Sequence, residues 1–234
     1  MPSDLVLITR PRPGAAETAA RVEAMGLIAI VAPFLKITPT PASLPHPGRI
    51  AAVLLTSGSA IAPLPAEFRA CPVLTVGDAT ARRAKQAGFT TVVSADGDAA
   101  ALTELVRNRI APGGGTLLLA AGRGQSLALA ADLRRSGYRV ARRVVYAAKP
   151  VPDLPDAAKA ALTGTQKTTV LFFSAETARH FMRLARAAGV SEHLRNHEAV
   201  TIGPQAAMAL KGAPWARIRV AAKPTQDEML AFLR

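Results

Sequence analysis

The sequence has few of the residues from which disulfides, cysteine-based metal clusters or aromatic cores are built. Cys71 is the only cysteine in 234 residues, which excludes an intramolecular disulfide and a zinc cluster held by several cysteines. Aromatic residues make up 4% of the chain while half of it is apolar. The core should therefore be built from small aliphatic side chains, as is typical of an alanine-rich α/β protein.

The common cofactor and metal motifs are also missing. The sequence contains no HExxH, no phosphate-binding GxxxxGK[ST] loop and no GxGxxG dinucleotide fingerprint, and Gly113–Gly115 precedes a strand-like run instead of following one. His193 and His197 have helical spacing but no nearby glutamate in a metalloprotease arrangement. We expect neither a metal nor a cofactor.

Targeting and membrane segments are not recognisable either. The run Leu5–Thr9 resembles a strand and lacks the basic, apolar and small-residue regions of a signal peptide. No apolar run approaches the roughly 18 residues that a membrane span needs. We expect a cytoplasmic protein that does not associate with membranes.

Positive charge is abundant. The chain has 29 Lys and Arg against 16 Asp and Glu, a formal net charge of +13. Such a balance favours polyanionic partners, whether nucleic acid, an anionic membrane or a ligand with many carboxylates, although a solvated basic surface would give the same composition. Base-stacking aromatics are scarce and no nucleic-acid-binding motif is recognisable, so a nucleic-acid partner is not expected.

Strand-like and helix-like segments alternate along the chain. Several helical segments, such as 15–25, 79–87 and 127–135, are followed by a glycine that suits a helix end. The alternation predicts βαβ units and parallel sheets. The predicted strands are LVLIT, LIAIVAPFLKI, AAVLLTS, PVLTVG, TTVVSA, TLLLAA, RVARRVVYAA, TVLFFS, AVTIG and RIRVAA.

Two kinds of unit each occur twice. The first kind covers 4–37 and returns over 115–148, and the second covers 51–106 and returns over 169–233. The match is one of pattern more than identity. The order first, second, first, second predicts two similar lobes instead of a long repeat array.

Small or hydroxyl residues recur where each predicted strand meets a helix. Such turns lie at the carboxyl edge of a parallel sheet, where helix N-termini offer backbone N–H groups and a positive dipole end to anions. Two such edges would suit a ligand with many carboxylates, although helix capping alone explains residues of these types. The turns are Thr9-Arg10-Pro11, Thr56-Ser57-Gly58-Ser59, Gly77-Asp78-Ala79-Thr80, Gly122-Arg123-Gly124, Ser174-Ala175-Glu176-Thr177 and Gly203-Pro204-Gln205.

At these turns the chain resembles the uroporphyrinogen-III synthase family over essentially its whole length. Each motif is weak alone, and their number and order make the resemblance specific. The motifs, in order, are VLITRP, LLTSGSAI, TVGDATARRAKQAGF, ADGDAAAL, LLAAGRG, RVVYAA, VLFFSAETARHF, TIGPQAAMAL and AAKPTQDEML.

The resemblance implies two similar flavodoxin-like α/β domains with parallel sheets, joined by a two-stranded linker and separated by a cleft. Carried onto this sequence, residues 1–36 plus 150–234 form one domain and 39–147 the other, with linkers near 36–39 and 147–150. Each domain then holds one unit of each kind.

The reaction that the resemblance implies is the cyclisation of hydroxymethylbilane to uroporphyrinogen III, with loss of water and inversion of the last pyrrole ring. Catalysis would consist mostly of positioning an octacarboxylate, without a cofactor. Tyr146 matches the family's cleft tyrosine and is the candidate general acid. The residues matched to the substrate-binding cleft are Thr9, Arg10, Thr56, Ser57, Gly77, Asp78, Arg123, Ser174, Gly203, Pro204, Lys223 and Thr225.

Two positions depart from the family pattern. Ser59 stands where asparagine is common, and Gln205 follows Gly-Pro where a hydroxyl residue is usual. These differences leave open a catalytically inactive paralogue that binds a polyanionic tetrapyrrole. We expect a monomer that makes transient contact with hydroxymethylbilane synthase.

Overall fold

The structure is a computed structural model that describes residues 5–234. The chain divides into two compact units, one formed by the chain up to Lys36 together with Lys149–Arg234 and the other by Ile37–Ala148. The strands are β1 (Leu5–Ile8), β2 (Ile28–Val31), β3 (Leu35–Pro39), β4 (Ile50–Leu55), β5 (Val73–Thr75), β6 (Val92–Ser94), β7 (Thr116–Gly122), β8 (Arg139–Pro150), β9 (Thr168–Phe172), β10 (Glu198–Thr201) and β11 (Arg217–Val220). The α-helices are α1 (Gly14–Glu23), α2 (Asp78–Gln86), α3 (Ala99–Arg109), α4 (Leu127–Arg135), α5 (Asp156–Thr163), α6 (Ala175–Ala187), α7 (Pro204–Leu210) and α8 (Gln226–Ala231).

The first unit contains a five-stranded sheet in the order β11-β10-β9-β1-β2, and all of its pairings are parallel. In β9, Val170 and Phe172 contribute to one core cluster and Leu171 to another. Because successive side chains of a strand point to opposite faces, both faces of this sheet carry a core. This explains why its strands read as continuous apolar runs.

The second unit contains the sheet β3-β8-β7-β4-β5-β6, in which the pairings from β8 to β6 are parallel. In β7, Leu118 and Ala120 belong to one core cluster, whereas Leu117 and Leu119 belong to the other. This sheet is therefore also covered on both faces, and the prediction of parallel α/β sheets is confirmed.

The two sheets have the same spatial order of repeat units. The order β2-β1-β9-β10-β11 matches β8-β7-β4-β5-β6 strand for strand, although the chain enters the two sheets at different points. The repeat is visible in side-chain contacts as well. The Thr75 hydroxyl donates to the carbonyl of Gly77 at 3.2 Å, and the Thr201 hydroxyl donates to the carbonyl of Gly203 at 3.3 Å.

One predicted strand was wrong in its extent. The run LIAIVAPFLKI is not continuous but forms β2 in the first sheet and β3 in the second. Pro33 lies between them, and proline cannot donate a backbone hydrogen bond to a sheet. Phe34 then turns its ring fully into the core of the first unit.

Candidate functional site

Each sheet has one point where the chain order of its strands reverses direction. In the first unit this point lies between the neighbouring strands β1 and β9, and in the second between β4 and β7. Ligands of open α/β sheets bind outside the carboxyl ends of strands at such points. The loops that follow these four strands contain Thr9 and Arg10, Ser174, Thr56 and Ser57, and Arg123.

Tyr146 lies on β8 in the second unit, where only 2% of it is exposed. Its hydroxyl donates a hydrogen bond of 2.8 Å to Oε1 of Gln125. Burial raises the pKa of Tyr146, while hydrogen bonds to Ser57 and Gln125 lower it in part. The phenol is therefore protonated near neutral pH, and its proton is held by Gln125.

The loops around Tyr146 are tied to each other by hydroxyl groups and backbone. The hydroxyls of Thr56 and Ser126 share a hydrogen bond of 3.0 Å, and Ser57 caps the short 3-10 helix Gly58–Ala60 by accepting the N–H of Ser59. Arg123 is exposed, and its backbone N–H donates to the carbonyl of Tyr146 at 2.9 Å. Four of the predicted residues, Thr56, Ser57, Arg123 and Tyr146, thus meet in one neighbourhood.

Gly77 and Asp78 lie one strand further out, where α2 begins. Gly77 is the N-cap of the helix and Asp78 is its exposed first residue. The carboxylate of Asp78 interacts favourably with the positive end of the helix. This arrangement leaves the backbone, not the side chain, as the group at this turn that suits an anionic ligand.

In the first unit, Thr9 and Arg10 follow β1 directly. Thr9 is fully buried and its hydroxyl donates to the carbonyl of Leu171 at 2.6 Å, so this side chain joins β1 to β9. The guanidinium of Arg10 stacks on the ring of Phe173, with 4.3 Å to the ring centroid, and donates to Oε1 of Gln226 at 3.2 Å. Arg10 is thus a cation held in place at the strand end.

The remaining predicted residues of the first unit are at helix starts. Ser174 caps α6 by accepting the N–H of Thr177 at 3.1 Å. Gly203 is the N-cap of α7 and Pro204 its first residue. Lys223 is exposed in the turn before α8, and Thr225 caps that helix by accepting the N–H of Glu228.

Three residues near these predicted positions were missed by the sequence analysis. Gln125 holds the hydroxyl of Tyr146, and Phe173 supports Arg10. Arg83 of α2 lies against Gly58, where an added Cβ would come within 2.8 Å of its guanidinium. Gln125 directly follows the motif LLAAGRG. Its contact with Tyr146 becomes visible only in the structure, where both side chains pack against Gly122.

Neither a metal site nor a membrane-spanning helix is found among residues 5–234. This part of the chain contains no group of three His, Cys, Asp or Glu placed to hold a metal ion. Within the same range no helix has the length and apolar character to cross a membrane.

The comparison with known families is decisive. A family model described as uroporphyrinogen-III synthase HemD matches residues 16–231. The chain belongs to the uroporphyrinogen-III synthase family. The matched range includes all the predicted site residues except Thr9 and Arg10, which precede residue 16.

A solved synthase shows the same fold. The uroporphyrinogen-III synthetase from Helicobacter pylori is similar over 99% of this chain and 98% of that chain, with 18% identity and a TM-score of 0.64. A mutant uroporphyrinogen III synthase from Thermus thermophilus covers 97% of this chain and 96% of that chain, with 20% identity and a TM-score of 0.49. No curated protein matches the sequence. Synthases of this family are cyclising lyases of tetrapyrrole synthesis.

Proposed function

We propose that this chain cyclises hydroxymethylbilane to uroporphyrinogen III by positioning the octacarboxylate on donors at the carboxyl ends of its parallel strands. The observation that carries the proposal is the position of the predicted turn residues. Six of them follow the strands that flank the point of strand-order reversal, three in each of the two sheets. Because ligands of open α/β sheets bind outside these strand ends, the position suits substrate binding.

The charge of the chain suits this substrate. A net charge of +13 attracts a ligand with eight carboxylates, and helix N-termini supply backbone N–H groups to those carboxylates. Arg10, Arg123 and Lys223 add cationic side chains at or near these edges. Binding of this kind fixes conformation without needing a strong acid or base.

The chemistry places its main demand on conformation. Once hydroxymethylbilane has lost its hydroxyl, the resulting azafulvene is reactive enough to close unaided to the symmetric isomer. The enzyme must instead direct attack to the substituted carbon of the last pyrrole, through a spiro intermediate that inverts this ring. Holding reacting atoms in one geometry can supply several kcal/mol of the barrier, on the order of 7.

Tyr146 is the proposed acid for departure of the hydroxyl. A phenol retains its proton at neutral pH, and burial raises the pKa of Tyr146 further above its ordinary value of 10.0. Tyr146→Phe keeps the ring and removes only the donor. We expect this variant to slow formation of the azafulvene by roughly 10²-fold, the lower range for a positioned acid, while binding is retained.

The arrangement of domains and the setting of the enzyme extend the proposal. The two compact units are the two domains of the family, and β3 with β8, which contain the unit boundaries, form the two-stranded linker. The protein acts as a cytoplasmic monomer and receives its substrate during transient contact with hydroxymethylbilane synthase.

The test is a coupled assay in which hydroxymethylbilane is generated in situ and the oxidised products are separated into type I and type III isomers. Mostly type III product is expected. Product that stays type I at saturating enzyme, with binding of the bilane retained, would mean an inactive paralogue that binds the tetrapyrrole. A protein that neither forms type III product nor binds the bilane would overturn both functions.

A further inference from the structure

Gln125 and Tyr146 form a contact that no motif of the sequence indicates. We propose that Gln125 is a positioning residue for the ring-closing reaction: its side-chain amide, with the hydroxyl of Ser57, holds the phenol of Tyr146 and controls when that phenol gives up its proton. The inference rests on the proposed role of Tyr146 and deepens it.

The contact depends on a glycine between the two side chains. Gly122 ends β7, and an added Cβ there would lie 2.8 Å from Oε1 of Gln125 and 2.8 Å from the ring of Tyr146. A real Cβ cannot approach other atoms so closely. The absence of a side chain at Gly122 therefore lets the amide reach the phenol, at 2.8 Å from oxygen to oxygen.

The loop that carries Gln125 is held from its other side by Arg142. The Nε atom of Arg142 donates to the carbonyl of Gln125 at 2.8 Å, and its terminal nitrogen donates to the carbonyl of Gly122 at 3.2 Å. A guanidinium with two such bonds fixes an orientation as well as a distance. The backbone on both sides of the amide is thereby anchored to β8, the strand that bears Tyr146.

Ser126, the residue after Gln125, shows that the loop between β7 and α4 is constrained. Ser126 has a φ of 58°, which is the left-handed region that residues other than glycine rarely adopt. Its hydroxyl bonds to that of Thr56 at 3.0 Å. A backbone conformation that costs roughly 1 kcal/mol or more persists where neighbouring contacts determine it, and such conformations are frequent at functional sites.

An amide can serve both protonation states of a phenol. Oε1 of Gln125 accepts the O–H of neutral Tyr146, and a half-turn of the amide presents N–H groups to a phenolate, as the Ser57 hydroxyl also can. Both partners lower the pKa of Tyr146 against the opposing effect of burial. The single proton of the phenol is donated to Gln125, so Gln125 must release it before Tyr146 can donate to the substrate.

The proton balance of the step is complete. The proton of the Tyr146 hydroxyl passes to the leaving hydroxyl of the bilane, the carbon–oxygen bond breaks with its electron pair on oxygen, and water departs. Tyr146 is left as a phenolate that Gln125 and Ser57 stabilise. The proton that the tetrapyrrole loses on ring closure returns to the phenolate of Tyr146 and restores the acid.

The two tyrosines of the chain permit a direct measurement. Tyr138, whose hydroxyl bonds the carbonyl of Ile110, is the other one, so Tyr138→Phe leaves Tyr146 as the only tyrosine. Growth on fluorotyrosine then places one ¹⁹F label on the phenol and makes the phenol more acidic, so that it titrates while the protein is native. In this Tyr138→Phe background, the ¹⁹F shift is followed against pH in four proteins: the one that keeps Gln125, Gln125→Leu, Gln125→Glu and the control Gln86→Leu. Gln86 is an exposed residue at the end of α2.

We expect the titration midpoint to rise by about one pH unit in Gln125→Leu and further in Gln125→Glu, whose carboxylate disfavours a phenolate. Gln86→Leu should leave it unchanged. Midpoints that agree in all four proteins would overturn the proposal, whatever the activity. This measurement needs no turnover, so it separates failure of this inference from failure of the proposed function.

Activity completes the test. The pH dependence of type III formation, measured on unlabelled enzymes, should move at its alkaline limit in the same order as the ¹⁹F midpoints. A shifted midpoint with an unmoved pH profile would overturn the role of Gln125 in the reaction. If Tyr146→Phe is also fully active, the acid role of Tyr146 fails, whereas the role in hydrogen bonding stands.

Discussion

The guanidinium of Arg10 lies over the ring of Phe173, 4.3 Å from its centroid, and links the two strands that flank the strand-order reversal of the first sheet. The ring belongs to the loop after β9 and the cation to the loop after β1. Gly14 makes room for this stack, since an added Cβ there would come within 2.5 Å of Nε of Arg10. The cation is therefore fixed in the position where a substrate carboxylate is expected.

We expect Arg10→Ala to raise KM for hydroxymethylbilane about tenfold, because a positioned charge-assisted contact contributes roughly 1.5 kcal/mol or more. Arg10→Lys should recover only part of this loss, since an ammonium group does not stack or bond as a planar guanidinium does. Arg12→Ala removes the same charge from an exposed position of the same loop and serves as the control. Equal KM values for Arg10→Ala and Arg12→Ala would show that only overall charge matters.

Gly122→Ala should disrupt the neighbourhood of Tyr146. The new methyl group would meet the ring and Gln125 at 2.8 Å, so the free energy of unfolding should fall by about 1 to 3 kcal/mol, as in other overpacked sites. Gly77→Ala is the matched control for stability, since no atom lies within 4 Å of its added Cβ and its φ is −140°. Urea denaturation of both variants checks the prediction, which fails if they unfold at the same midpoint.

His197 should make the protein less stable below neutral pH. It is 1% exposed, its Nδ1 accepts the N–H of Thr168 at 3.1 Å and its Nε2 bonds the carbonyl of Leu162 at 2.9 Å. Burial lowers the pKa of His197 below its ordinary 6.5; the bond to Leu162 opposes this shift and the charge of His193 adds to it.

The unfolded chain therefore binds the proton at a higher pH than the folded one does. The contribution of His197 to the stability of the protein is fully present above about pH 6.5. It falls as the pH decreases towards the lowered pKa of the folded state. Thermal melts at pH 7.5 and 5.5 should show a smaller loss in His197→Gln than in the parent protein. His46→Gln, at an exposed site, should show the parental loss.

Glu198 of β10 should stabilise the first sheet by its ion pairs with Arg219 of β11 and with Lys167, the residue that precedes β9. Its carboxylate lies 2.6 Å from Nζ of Lys167 and 3.2 Å from Nε of Arg219, and its side chain is 13% exposed. Burial by itself would raise the pKa of Glu198, but the bond to Lys167 and the charges of Lys167, Arg219 and Arg217 lower it overall. The stabilisation is thus complete above pH 4.5 and is lost as the pH falls through the lowered value.

We expect Glu198→Gln to reduce the free energy of unfolding by about 1 kcal/mol at pH 7, below the usual range for hydrogen bonds to charged groups because Lys167 is partly solvated. Glu192→Gln breaks the exposed pair with Arg195 and should change stability by less than about 0.5 kcal/mol. Denaturant midpoints at pH 7 compare the two. A larger loss in Glu192→Gln than in Glu198→Gln would contradict the prediction.

Much of the fold could be predicted because its signals are local. Apolar runs bounded by turn residues located the strands, and α4 begins and ends where its apolar spacing indicated. The internal repeat predicted two similar sheets, and the spatial order of strands agrees with it. The break in LIAIVAPFLKI was missed because an apolar run does not reveal which of two sheets each half will join.

By itself, the sequence determined the parallel α/β class, the repeat and the turns at which donors meet the strand ends, because apolar periodicity and turn chemistry act over a few residues. Only the tertiary structure decided what the side chains at those turns do. The hydroxyl of Thr9 bonds within the sheet, whereas Gln125 reaches Tyr146 across 21 positions of the chain. Such pairings depend on strand order and on the space left by Gly122, and neither leaves a local pattern in the sequence.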